Sequence, residues 1–172
     1  MLATFLNPIA HAAPFAALLI LAACAPSHVD PIREPHPMTT RHATGTFDVT
    51  LKPIAPYESA PDAALGRMSI DKQFHGDLEG TSRGEMLTAS GSVKGSAAYV
   101  AVERVTCTLH GRAGAFSFVH RGIMTRAVPQ LLVSVVPDSG SGQLVGLSGT
   151  LAINIADGKH SFDFEYSLPE TP

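Results

Sequence analysis

The sequence is short of most features that would announce a function outright. Among 172 residues there is no tryptophan and there are two cysteines, Cys24 and Cys107. With the first of them inside a leader-like segment, no disulfide framework is available to staple a small secreted fold. A basic block is also missing: 12 Lys and Arg face 15 Asp and Glu, for a formal net charge of -3. That excludes the electrostatic footprint of a nucleic-acid partner. No apolar run reaches the ~20 residues of a membrane-spanning helix. No segment shows a helical period with caps, so crossover helices and a parallel sheet are not expected. Cofactor motifs are absent too. Ser139-Gly-Ser-Gly142, followed by Gly146, resembles a phosphate loop but lacks the Gly-Lys-Ser/Thr ending and a helix after it, and it reads as a turn.

What is present divides the chain in two. Residues 1–37 form a leader followed by a Pro-rich linker, and residues 38–170 form one domain. The run Phe15–Cys24, FAALLILAAC, has the length of a signal-peptide core, and Leu21-Ala22-Ala23-Cys24 fits a bacterial lipobox. No Lys or Arg precedes it, whereas secretory leaders carry a positive start. Two expectations stand side by side. Either Cys24 is lipidated and anchors an envelope lipoprotein, or translation begins at Met38 and the product is cytoplasmic.

From Thr44 onward the period is two, the mark of strands with one buried face. Phe47, Val49 and Leu51 open the series, and Met68, Ile70, Lys72 and Phe74 follow. Leu78 to Met86, after a bend at Gly76-Asp77, presents a face of mostly small residues. Tyr99 to Leu109, Phe116 to His120, Leu131 to Val135, Leu147 to Ile155 and Phe162 to Leu168 complete eight strands. Asp157-Gly158 is a strong hairpin signal, while His110-Gly-Arg-Ala-Gly114 and Pro137–Gly142 read as longer turns. The expectation is an all-β fold, a single antiparallel eight-stranded up-and-down barrel, with a two-sheet sandwich as its rival. The longest irregular piece, Lys52–Ala63, reads as a surface loop.

Within the apolar register four residues are conspicuously polar: Lys72, Tyr99, Glu103 and His120, with Ser82 a less certain fifth. Pairing Leu109 with Gly114 places Glu103 opposite His120, and a two-residue shift leaves them diagonal, within reach either way. A buried charge needs a partner, and Lys72 could neutralise Glu103 or meet an acidic ligand. Three uses compete. The residues can form a satisfied network that plugs the barrel, they can grip the polar group of a ligand, or Glu103 and His120 can act as general acid and base. Cys107, among apolar neighbours, reads as an inert packing group. His75, Asp77 and Glu79 alternate on the outward face without a second ligand cluster, so no metal site is expected.

The series KQFHGDLEGTS (Lys72–Ser82), YVAVERVTCTLHGRAGAFSFVHRG (Tyr99–Gly122) and VVPDSGSGQLVGLSGT (Val135–Thr150) resembles a bacterial domain-of-unknown-function family of small β-barrels, similar in fold to plant allene oxide cyclase. The resemblance covers roughly Met38 to Glu170. It implies a calycin-like eight-stranded barrel, frequent self-association into homo-oligomers, no established activity and a start near Met38. The family pattern has glycine where this chain has Cys107, which implies a narrower lumen at that level. The favoured functional reading is a barrel that binds a small, mostly apolar molecule through Lys72, Tyr99, Glu103 and His120. The alternatives are an isomerase or cyclase using Glu103 and His120, and an envelope lipoprotein module with a packed lumen.

Overall fold

In the computed structural model, residues 39–58 and 64–169 are described. The leader, Cys24 and both candidate starts lie outside the described residues. Nine strands run in order: β1 (Thr39–Ile54), β2 (Leu65–Gly76), β3 (Leu78–Ser90), β4 (Ala97–Leu109), β5 (Arg112–Thr125), β6 (Val128–Val135), β7 (Ser141–Gly142), β8 (Ser148–Ala156) and β9 (Lys159–Leu168). Every pairing is antiparallel, and β9 returns to β1 while β4 pairs β5, so the eight long strands close into an up-and-down barrel. The expected architecture is the one observed. Closure satisfies both edges that an open sheet would expose. The seam is thinnest between β6 and β8, which share the single pair Ser134 and Thr150.

The tight turns follow backbone chemistry. Asp157 and Gly158 have φ values of 51° and 74°, the left-handed pair that a two-residue hairpin of this twist demands. His110 and Gly111 do the same at 46° and 81°. The β4–β5 connection is therefore a two-residue turn, shorter than the five-residue HGRAG segment suggests, and Leu109 pairs with Arg112 in place of Gly114. A third such turn joins β5 to β6 at Arg126 and Ala127, with φ of 50° and 68°. Neither residue favours that region. The turn is braced from the β3–β4 loop, where Gly95 O accepts from Ala127 N at 2.9 Å and Ser96 Oγ accepts from Arg126 N at 3.2 Å.

The barrel is lopsided. At one end Leu78, Leu109, Phe116, Tyr166 and Leu168 are buried, and the β6–β8 connection folds across them, burying Leu144 and Leu147. This corrects the reading of Ser139–Gly142 as a plain turn, because Ser141 and Gly142 form β7 against Gly114 and Ala115 of β5. Arg104 pins the plug from β4, donating to Ser139 O at 3.1 Å and Ser141 Oγ at 3.2 Å.

Towards the other end the inward residues emerge into the open. Exposure rises along β1 from 4% at Phe47 to 45% at Leu51, along β6 from 1% at Val133 to 44% at Leu131, and along β8 from 5% at Leu151 to 63% at Ile155. Of the loop Lys52–Ala63, Lys52 to Ile54 belong to β1, Tyr57 is fully exposed, and residues 59–63 lie outside the described residues. Leu144→Ala removes a fully buried side chain from the plug and is expected to cost about 2–5 kcal/mol, read as a lower urea midpoint at unchanged slope.

Candidate functional site

The site lies at mid-height, where the packed half gives way to the open mouth. Lys72 on β2, Ser82 on β3, Glu103 on β4 and His120 on β5 come from four consecutive strands, and all four are buried. They share the lumen because each occupies the inward position of its strand, with Lys72 paired to Ser82 in the ladder. Glu103 lies opposite Gly84 on one side and Phe118 on the other, so it is diagonal to His120, as a two-residue shift from the Leu109–Gly114 pairing requires. Gly84 is what lets β3 and β4 meet here. A Cβ at that position would stand 2.6 Å from Glu103 Cα and 2.7 Å from its Cβ.

Glu103 is the hub. Lys72 Nζ donates to Oε1 at 2.7 Å, His120 Nε2 reaches the same oxygen at 2.9 Å, and Ser82 Oγ donates to Oε2 at 2.6 Å. Ser82, the uncertain member of the set, is thus a full partner. Burial by itself pushes the Glu103 carboxyl upward, but the His120 bond and the Lys72 charge outweigh it and hold the group down at about 2. The carboxylate is ionised at all ordinary pH. The Lys72 ammonium also lies 4.9 Å from the centroid of Phe47 and 5.7 Å from that of Phe74, where ring faces favour a cation.

Tyr99 shares the register but not the network: it is half-buried nearer the mouth and has no hydrogen bond to the cluster. Its ring lies where a Gly122 side chain would be, so Gly122 is required for that position. Burial, then the Glu103 charge, raises its phenol above the ordinary value. Above the cluster the mouth is lined by Leu51, Met68, Met86, Met124, Leu131 and Ile155, all at inward positions. Cys107 is buried and its thiol is pushed up to about 11 by burial, which leaves it unreactive. His75 and Glu79 lie 3.2 Å apart on the surface, while Asp77 turns to Thr44 and His110. Among the described residues, no three His, Cys, Asp or Glu side chains converge as a metal site.

A site of this build can be set against known proteins. Residues 43–166 match the family described as protein of unknown function, DUF3224. The chain belongs to that family. A crystal structure of a protein of unknown function from the DUF3224 family, from Shewanella oneidensis, is 47% identical, covers 78% of this chain and 100% of its own, and superposes with a TM-score of 0.72. No curated protein matches. These relatives carry the barrel, whereas the likeness to allene oxide cyclase remains an expectation of the sequence motifs.

Glu103→Gln leaves the Lys72 ammonium buried without a counter-charge and is expected to cost about 3–5 kcal/mol at pH 7. Lys72→Met/Glu103→Gln removes both charges, keeps an amide for Ser82 and His120, and is expected to recover most of that loss. Because the folded carboxyl lies below its unfolded value of 4.5, its stabilisation is complete above pH 4.5 and drains away as pH falls towards 2. The gap in urea-unfolding free energy between the native protein and Glu103→Gln should therefore narrow over that window.

Proposed function

We propose that this barrel binds a small, mostly apolar molecule through its open end. The observation that carries the reading is the exposure of inward-facing apolar side chains at one end of a barrel whose other end is plugged. Leu51, Met124, Leu131 and Ile155 occupy inward positions of their strands, yet each keeps 42–63% of its surface exposed. Pockets of this kind are mainly apolar, with a few polar groups at depth to fix orientation. Here Lys72, Glu103 and His120 form the floor and Tyr99 the side.

Acid–base catalysis fits this floor less well. A carboxylate held near 2, with both oxygens occupied by donors, is a weak base and is not protonated at neutral pH to serve as an acid. Its role here is to neutralise Lys72 and to fix the imidazole of His120.

Neighbouring residues on β6 give a stringent test. Leu131 faces the mouth and Leu132 faces outward, and both are similarly exposed. The uncharged fluorophore N-phenyl-1-naphthylamine should bind the native protein saturably at one site. Leu131→Arg should abolish that binding, while Leu132→Arg should leave it intact. Equal effects of the two variants, or no saturable binding to the native protein, would remove the proposal.

A further inference from the structure

The outer wall of the barrel breaks its own pattern at one place. Outward positions are polar on other strands, as with Thr46, Asp48 and Thr50 on β1 and Asp163 and Glu165 on β9. On β4 the run Ala98–Val102 is apolar on both faces, with Tyr99 and Ala101 at inward positions and Ala98, Val100 and Val102 at outward ones. A strand that reads apolar without alternation is one covered on both sides. Its neighbours extend the outer patch. Leu87 on β3 pairs with Val100, and Val119 on β5 pairs with Val102. These four side chains keep 37–55% of their surface exposed, and they line a groove of about 440 Å³ together with Tyr57, Arg67 and Glu85. Contiguous apolar surface of this kind marks a contact with another molecule.

The charges at the border of the patch narrow the choice of partner. Glu85, Val102 and Val119 form one outward row across β3, β4 and β5, and Leu87, Val100 and Arg121 form the next. Glu85 and Arg121 therefore stand at diagonal corners, with the four apolar side chains between them. Neither is fully paired within the protein. Arg67 Nε and Nη2 both donate to Glu85 Oε2, which leaves Oε1 without a donor, and among the described residues no acceptor meets Arg121. One acid and one base at opposite corners of an apolar block complement the same block on a second copy. A two-fold axis in the contact plane, perpendicular to the line from Glu85 to Arg121, sets Glu85 of each copy over Arg121 of the other and apolar side chains against apolar ones between them.

We propose that this chain associates with a second copy of itself through the outer face of β3, β4 and β5, with Glu85 and Arg121 paired twice across the contact. This face lies outside the lumen, so the proposal stands or falls apart from the ligand reading above.

Sedimentation equilibrium of the full chain should give twice the mass of one chain. Val102→Arg should reduce it to one chain, whereas Ala152→Arg, at an exposed outward position on β8, should leave it at two. Arg121→Glu sets like charges over one another and should weaken association by about tenfold or more. Adding Glu85→Arg to that variant restores opposite charges and should recover most of the loss. An unchanged far-UV circular dichroism spectrum checks that each variant keeps the barrel, and if Val102→Arg does not fold, the charge exchange decides alone. The proposal is overturned if the native chain stays monomeric at roughly 100 μM. It is equally overturned if Val102→Arg and Ala152→Arg associate alike, or if Glu85→Arg does not rescue Arg121→Glu.

Discussion

A carboxylate in the middle of a greasy tube has to be held, and the way Glu103 is held organises the rest. Removing its charge from water is costly, and only full hydrogen bonding with a nearby cation offsets that cost. Three donors from three other strands meet that demand, on β2, β3 and β5. Those bonds constrain the register of four strands at once, because a slip of one residue would send each side chain to the opposite face. The pairs Lys72 with Ser82 and Glu103 with Gly84 and Phe118 are the registers that bring the donors to one carboxylate. The polar cluster thus acts as an alignment device for the sheet as well as a floor for the lumen.

Below that floor the barrel is packed as a core. Phe116 and Phe118 meet edge to face at 4.8 Å between centroids, Phe118 and Phe164 do so at 5.3 Å, and Phe164 stacks on Tyr166 at 5.3 Å. Tyr166 resolves its own polar end by bonding through its hydroxyl to His110 Nδ1 at 2.7 Å, on the turn that caps β4. These rings are worth more together than their buried area alone. The plug over them buries Leu144 and Leu147 at that end.

Much of this was legible in the sequence, and the rest was hidden for identifiable reasons. Alternation exposes strands because one face of each is buried, and it also exposes Lys72, Glu103 and His120, since a charge in an apolar register stands out. Ser82 was harder to read because a small hydroxyl residue suits either face. The turn at Arg126-Ala127 carries no glycine or asparagine signal. Its left-handed backbone is imposed by hydrogen bonds from Gly95 and Ser96, about thirty residues away in sequence. β7 and the plug depend on Leu144 packing over the barrel end, a tertiary contact that no local period records. Tyr99 was placed on the correct face, but a period of two says nothing about height along the axis, and height decides whether a residue lies in the network or at the mouth.

That height is what joins the two halves into one argument about function. Leaving Leu51, Leu131 and Ile155 about half exposed forgoes on the order of 1 kcal/mol for each, compared with a barrel that buried them fully. A chain selected for stability alone would close both ends, or replace Lys72 and Glu103 with apolar groups of equal volume at little or no loss. This one keeps an aromatic core and plug at one end and a half-exposed apolar mouth at the other, with a charge-balanced pair at the boundary. Any occupant that covered those side chains would recover part of that stabilisation.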